Sequence, residues 1–258
     1  MSKVEQSTDL LIATMNLIQP GVIMVSGGEP VLWKAMPRLI EELGQHKWVI
    51  LTNLSKVPAW LLHDRVVLVI AAYHKEFTHL PTFIKNLKRI YRPIVKILVE
   101  PNSETEHLSV WDTLWTHGIP THLAPIEWPR GFSESFLDRI RSGELLTNLM
   151  YNSRFFCGPT NKSRLCIAGT RDMFQIGLDG GFGRCSQGGP IHGRLGDQKW
   201  LDEPHECSFS CYCEWHHWAG MTLANDNNVW NRYVDTGIWT IPRVDELKPF
   251  VEKMEWKL

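Results

Sequence analysis

Between residues 21 and 126, short apolar runs rich in β-branched residues alternate with stretches whose apolar residues recur at helical spacing. The runs are 21–25 (GVIMV), 48–52 (WVILT), 66–72 (VVLVIAA), 94–99 (IVKILV) and 119–126 (IPTHLAPI). Strands separated by helices pair in parallel, and parallel strands covered on both faces read as continuous apolar runs. The spacing predicts a helix over 8–18, with Leu11, Met15 and Ile18 on one face and Thr8 or Asp9 as its cap. A second helix is expected over 31–43, carrying Leu32, Met36, Leu39, Ile40 and Leu43, kinked or restarted at Pro37. A short helical turn follows at 58–63, then a helix marked by Phe83, Ile84, Leu87 and Ile90. Another carries Leu108, Trp111 and Trp115 at core spacing and ends at Gly118, and one more spans 133–150 from Ser133, with Glu134 in its first turn. The expected fold class is therefore α/β. About five such units are too few to close an eight-stranded barrel, so an open (βα) half-barrel and a doubly wound sheet both fit.

Beyond residue 150 the texture changes to glycines, cysteines and turn residues. The expected organisation is a partial (βα) domain over 1–150 and a small Cys-rich domain with a C-terminal tail over 151–258. Asp179-Gly180-Gly181 signals a hairpin between 173–178 and 182–185. The chain has 258 residues, 43% of them hydrophobic, enough for one large domain and a smaller appendage. A net charge of −1 with no charge run gives no electrostatic footprint for nucleic acid. No run of 18 apolar residues predicts a membrane span, and the first residues lack the pattern of a signal peptide, so the cytoplasm is the expected compartment.

The six cysteines are segregated. Cys157, Cys166, Cys185, Cys207, Cys211 and Cys213 all follow residue 156, and none precedes it. Scattered core cysteines would not cluster so, and disulfides need an oxidising compartment. Ligation of a metal or cluster is the expected role. A [4Fe–4S] cluster takes four thiolates, and so does a structural zinc ion. Zinc sites usually present paired C-x2-C knuckles, and none occurs here. His216 and His217 could join a zinc site. Five closely grouped cysteines compete for four places, while Cys157 stands apart and reads as a free thiol, buried or at the surface.

The other motif is Ser26-Gly27-Gly28-Glu29-Pro30, directly after the first apolar run. Glycines at the C-terminal end of a parallel strand let a ligand approach the backbone, and Glu29 could hold an ammonium group. Taken alone, the segment reads as readily as a tight turn with an exposed carboxylate.

In context it resembles the radical SAM family, whose second strand ends in GGEP. Leu51-Thr52-Asn53-Leu54-Ser55 looks like the end of that family's third strand. Ala72-Tyr73-His74-Lys75-Glu76-Phe77 is similar to the end of the fourth, and Val99-Glu100-Pro101 to the end of the fifth. Cys166, Gly180 and Cys185 form a C-x13-G-x4-C pattern that resembles the opening of the SPASM or twitch domains found after many such barrels. Arg194-Leu195-Gly196-Asp197 resembles the segment after it, and Cys207, Cys211 and Cys213 form a C-x3-C-x-C run. The resemblance implies that Gly27, Gly28, Glu29, Pro30 and Asn53 line a place for S-adenosylmethionine. It implies that four of Cys166, Cys185, Cys207, Cys211 and Cys213 hold one auxiliary [4Fe–4S] cluster, and that His74 lines the pocket mouth. The sequence departs from the family in two ways. It has no CxxxCxxC loop for the cluster that reduces S-adenosylmethionine, and Ala72 stands where many relatives carry a serine. The expectation is an iron–sulfur protein that does not cleave S-adenosylmethionine alone. The loop could instead come from an upstream segment or a partner polypeptide, which would restore radical chemistry on a peptide or small molecule. A zinc-stabilised interaction module is the expectation from a different class.

Overall fold

The computed structural model describes residues 8–18, 20–91, 93–119, 121–125, 131–141, 165–166, 174–177, 180–183, 191–197, 199–202 and 205–206. Ten strands and five α-helices lie among them, in two compact units. One unit comprises 22–37 and 46–141. The other gathers 8–21, 38–45 and the described residues from 165 to 206.

The first unit is built on a five-stranded parallel sheet: β1 (Val22–Val25), β2 (Lys47–Thr52), β3 (Val66–Tyr73), β4 (Ile94–Val99) and β5 (Thr121–Pro125). The strands are adjacent in chain order, β1 to β5, with no reversal. α3 (Leu80–Leu87) joins β3 to β4, and α4 (Glu104–Thr116) joins β4 to β5. Gly118, at φ +68°, ends α4 as expected. Its N–H donates to Trp115 and that of Ile119 to Leu114, so the last carbonyls are satisfied.

Register and pleat sort the side chains into two faces. Ile50 and Thr52 of β2, Val69, Ala71 and Tyr73 of β3, Val95, Ile97 and Val99 of β4, and Thr121 and Leu123 of β5 share one face. All are buried. α3 lies on this face, where buried Phe83 meets the Tyr73 ring edge-on at 5.2 Å. Right-handed crossovers between consecutive neighbours place α4 on the same side. It packs against β4 and β5, and Trp111 Nε1 donates to the Thr121 carbonyl at 3.3 Å.

The opposite face is graded. Toward the strand starts Val49, Leu68, Ile70 and Ile94 are buried, whereas Leu51, Ala72, Lys96 and Leu98, nearer the C-terminal ends, are half-exposed. The apolar runs predicted cover on both faces, but on β2, β3 and β4 this C-terminal half keeps partial access to solvent, while Ala124 of β5 is buried.

Two local expectations change. The segment 31–43 is not one helix: a 3-10 turn over Pro30–Leu32 precedes α2 (Met36–Glu42), so Pro37 sits in the first turn, where its missing N–H costs nothing. Trp115 is not core. It is 41% exposed and tilts against Trp111 at 5.4 Å, while Leu114 takes the buried position.

In the second unit α1 (Thr8–Met15) buries Ile12, Thr14 and Met15, with Leu11 half-buried. Asp9 pairs with Arg38 at 2.7 Å, and Gln45 donates to Asn16 at 2.9 Å. Hydrogen bonds from Arg38 to Glu42 and then Asp9 raise its pKa further above its ordinary value. The predicted hairpin is present as β7 (Gln175–Ile176) and β8 (Gly181–Gly183), with Gly180 at φ +77° in the turn. A third strand, β9 (Ile191–Arg194), not expected from the sequence, pairs antiparallel with β8. Phe182 is buried, stacked on Phe174 at 4.8 Å and edge-on to Trp200 at 4.6 Å. Gly196, at φ +90°, lies where a Cβ would come within 3.1 Å of Leu10 Cδ1, so this turn packs closely on α1. Separately, β6 (Leu165–Cys166) pairs antiparallel with β10 (His205–Glu206).

Candidate functional site

β1 runs into Ser26, Gly27 and Gly28, all exposed. Gly27 has φ +85° and Gly28 φ +56°, and a Cβ on either would meet nothing within 4 Å. Glycine is needed here for backbone conformation rather than for space. Pro30 then restricts the residue before it to extended geometry, and Glu29 adopts φ −131°, ψ 101°. That turns the Glu29 side chain back over the 3-10 turn, where Oε1 accepts from the Val31 N–H at 3.1 Å.

The same carboxylate laces β1 to β2. Oε1 accepts from Thr52 Oγ1 at 2.5 Å and Oε2 from the Asn53 N–H at 2.7 Å. A carboxylate offers about four acceptor positions, so with three donors engaged one remains, on Oε2. Thr52 Oγ1 accepts in turn from the Leu54 N–H at 2.9 Å, and Asn53 Oδ1 accepts from the Ser55 N–H at 2.9 Å. Leu54 is fully buried at φ 53°, a conformation that costs a branched side chain about 1–2 kcal/mol. Its carbonyl is held by Asn86 Nδ2 of α3 at 2.9 Å, and the Asn53 carbonyl by Thr78 Oγ1 at 3.3 Å. One hydrogen-bonded network thus joins the loops after β1, β2 and β3 at the sheet edge where open α/β sheets bind ligands.

The Glu29 bond to the Asn53 N–H holds Asn53 against the turn that carries Gly27, Gly28, Glu29 and Pro30. Pro30 is buried beneath the turn. Glu29, expected as an ammonium ligand, is mostly consumed by the protein itself. Thr78 and Asn86 were missed. Asn86 is polar yet falls between Phe83 and Leu87 on the buried side of α3, which is the signal that could have found it.

At the end of β3, the His74 ring packs edge-on against Phe77 at 5.8 Å. Exposed Lys75 pairs with Glu106 of α4 at 2.7 Å. Their hydrogen bond raises the Lys75 pKa and lowers that of Glu106. Burial, and then the charge of Glu106, push the Tyr73 phenol above its usual value. His79 is exposed at the start of α3, and Ala72 is half-exposed beside its register partner Lys96.

Of the expected metal ligands, only the backbone of Cys166 lies among the described residues, opposite His205 in the β6–β10 pair. Cys157, Cys185, Cys207, Cys211 and Cys213 lie outside them, as do His216 and His217. In sequence, β8 stops two residues before Cys185 and β10 one residue before Cys207. No group of three His, Cys, Asp or Glu side chains suited to a metal occurs among the described residues. No described helix is long and apolar enough to cross a membrane. No family model matches the chain, and neither does any curated protein or solved structure.

Proposed function

We propose that this chain is a radical-SAM-like iron–sulfur protein: a (βα) half-barrel joined to a small domain that holds one auxiliary [4Fe–4S] cluster through cysteine thiolates. The observation that carries the reading is the sequential parallel sheet with the Gly27–Gly28 turn at the end of β1, tied through Glu29 to Thr52 and Asn53. A doubly wound sheet requires a reversal of strand order, and β1 to β5 have none, which favours the half-barrel.

The site residues suit the amino-acid end of S-adenosylmethionine in part. The Gly27–Gly28 backbone is open to a ligand, and Glu29 Oε2 keeps one acceptor position for an ammonium proton. Where bound, S-adenosylmethionine would supply a reducible sulfonium. This chain's own residues would only bind and orient it, because no cysteine precedes Cys157 to hold a reducing cluster beside the turn. For the auxiliary cluster, the β6–β10 pair supports convergence, since it sets Cys166 beside the strand that leads into Cys207.

Two experiments test the reading. With S-adenosylmethionine and dithionite, the anaerobically reconstituted chain should release no 5′-deoxyadenosine; its detection would overturn the claim of inactivity. Single alanine substitutions at Cys166, Cys185, Cys207, Cys211 and Cys213 should lower bound iron at four of the five positions, and Cys157→Ala should leave it unchanged. Equal iron in all six variants would contradict the assignment.

One observation favours a second reading, in which a partner restores radical chemistry. Edge strand β1 is wholly apolar, and all four residues are half-exposed, as suits a sheet edge that takes a further strand. Recovery of 5′-deoxyadenosine formation on adding a polypeptide that carries CxxxCxxC would establish that reading.

A further inference from the structure

A lysine stands on the graded face of the sheet with no acidic partner among the described residues. Lys96 is the third residue of β4, an interior strand. Its chain neighbours Val95 and Ile97 are buried on the helix-covered face, so Lys96 projects from the other. It is half-exposed and makes no hydrogen bond or ion pair among the described residues. The five strands contain no Asp or Glu at all. The one other Lys or Arg in them is Lys47, at the start of β2.

The strand neighbours of Lys96 are mostly apolar. Its register partner on β3 is Ala72, small enough to leave room beside the ammonium stem, and its register partner on β5 is His122. Ile94 is buried before it on the same face of β4, and Leu98 is half-exposed after it. Leu51 of β2, another half-exposed residue, shares this face toward the C-terminal ends. A mostly apolar surface with one well-placed charge is the composition of a small-molecule site. An unpaired ammonium among apolar side chains is unfavourable for the empty protein, and an oxyanion offsets it with a charge-assisted hydrogen bond.

We propose that Lys96 anchors a small anionic ligand, with its carboxylate or phosphate on the ammonium and its apolar part against Ala72, Leu51 and Leu98. The site includes no residue of the Gly27–Gly28 turn. It needs neither a cluster nor S-adenosylmethionine, so its test can fail while the iron–sulfur reading stands, and the reverse.

The test follows backbone amide shifts of the full-length 15N-labelled chain during titration with inorganic phosphate and, separately, with acetate, at constant ionic strength. At least one anion should produce saturable shifts at Ala72, Lys96 and Leu98. Those shifts should vanish in Lys96→Met, persist in Lys96→Arg, and be unaltered in Lys75→Met, which removes an exposed lysine already paired with Glu106. The arm that saturates identifies the oxyanion. Linear, unsaturable shifts with both anions overturn the proposal even if Lys96→Met does not fold, because the unsubstituted chain alone gives that answer. Saturable shifts that survive in a folded Lys96→Met overturn it equally.

Discussion

Glu29 shows how one residue's chemistry is set by partners that its own segment does not contain. Its acceptors are taken by Val31 locally and by Thr52 and Asn53 across the β1–β2 pair. Hydrogen bonds to a charged group contribute roughly 1.5–3 kcal/mol each, and a stranded buried donor costs about 1–3 kcal/mol. Glu29→Ala should therefore destabilise the folded chain by about 2–4 kcal/mol in urea unfolding, and Thr52→Val, which removes one donor, by about 1–2 kcal/mol. A double-mutant cycle should give a coupling above about 0.5 kcal/mol; strict additivity would mean that the Glu29–Thr52 bond contributes nothing. Gly28→Ala isolates the backbone term. With open space around the new Cβ, only the positive φ opposes it, and about 1 kcal/mol should be lost. Tyr73 gives a pH signature. Its folded pKa is raised by burial above the ordinary 10.0, so its contribution to stability is complete below pH 10 and lost as pH rises through the folded value. Thermal melts from pH 8 to 11 should show a steeper alkaline decline in the natural chain than in Tyr73→Phe, and parallel curves would contradict the shift.

At the scale of elements, what was legible and what was not divides along physical lines. Strands 48–52, 66–72 and 94–99 were readable because their continuous apolar runs are the direct consequence of burial. The end of α4 was readable because Gly118 alone can take the φ that closes it. The split of 31–43 was not, because helical periodicity ignores the capping bond from Glu29 that winds Pro30–Leu32 into a separate turn. Trp115 misled because a tryptophan at helical spacing counts as apolar whichever flank it occupies. The hairpin turn was marked by Asp179-Gly180-Gly181, but β9 has the sequence Ile-His-Gly-Arg, too short and polar to announce a strand. That three-stranded element is held by Phe182 between Phe174 and Trp200. Phe182→Ala should destabilise its unit by about 3–5 kcal/mol. If the element supports the cysteines after it, bound iron should fall in step with the loss of near-ultraviolet dichroism; full iron content in that variant would separate the hairpin from metal binding.

On the scale of the molecule, the sequence singled out two candidate centres but could specify neither set of contacts. The Gly27–Gly28 turn was found from a short motif. Its partners come from 23 to 24 residues away along the chain, and only the β1–β2 register brings them in. Lys96 looked like an ordinary strand residue, and only the pairing of β3, β4 and β5 shows that it stands between Ala72 and His122 on a sheet whose five strands carry no acid. The cysteines are the reverse case, since their grouping in sequence carries the proposal and the described structure contributes the β6–β10 pairing at Cys166. The central claim is that these thiolates hold an iron–sulfur cluster. It is tested most directly by iron, sulfide and zinc content, with the visible spectrum, on anaerobically purified and reconstituted protein. The account predicts about four irons and four sulfides per chain and a brown protein that bleaches with dithionite. Stoichiometric zinc in a colourless protein, without iron or sulfide, would contradict it and leave a zinc-stabilised α/β module in its place.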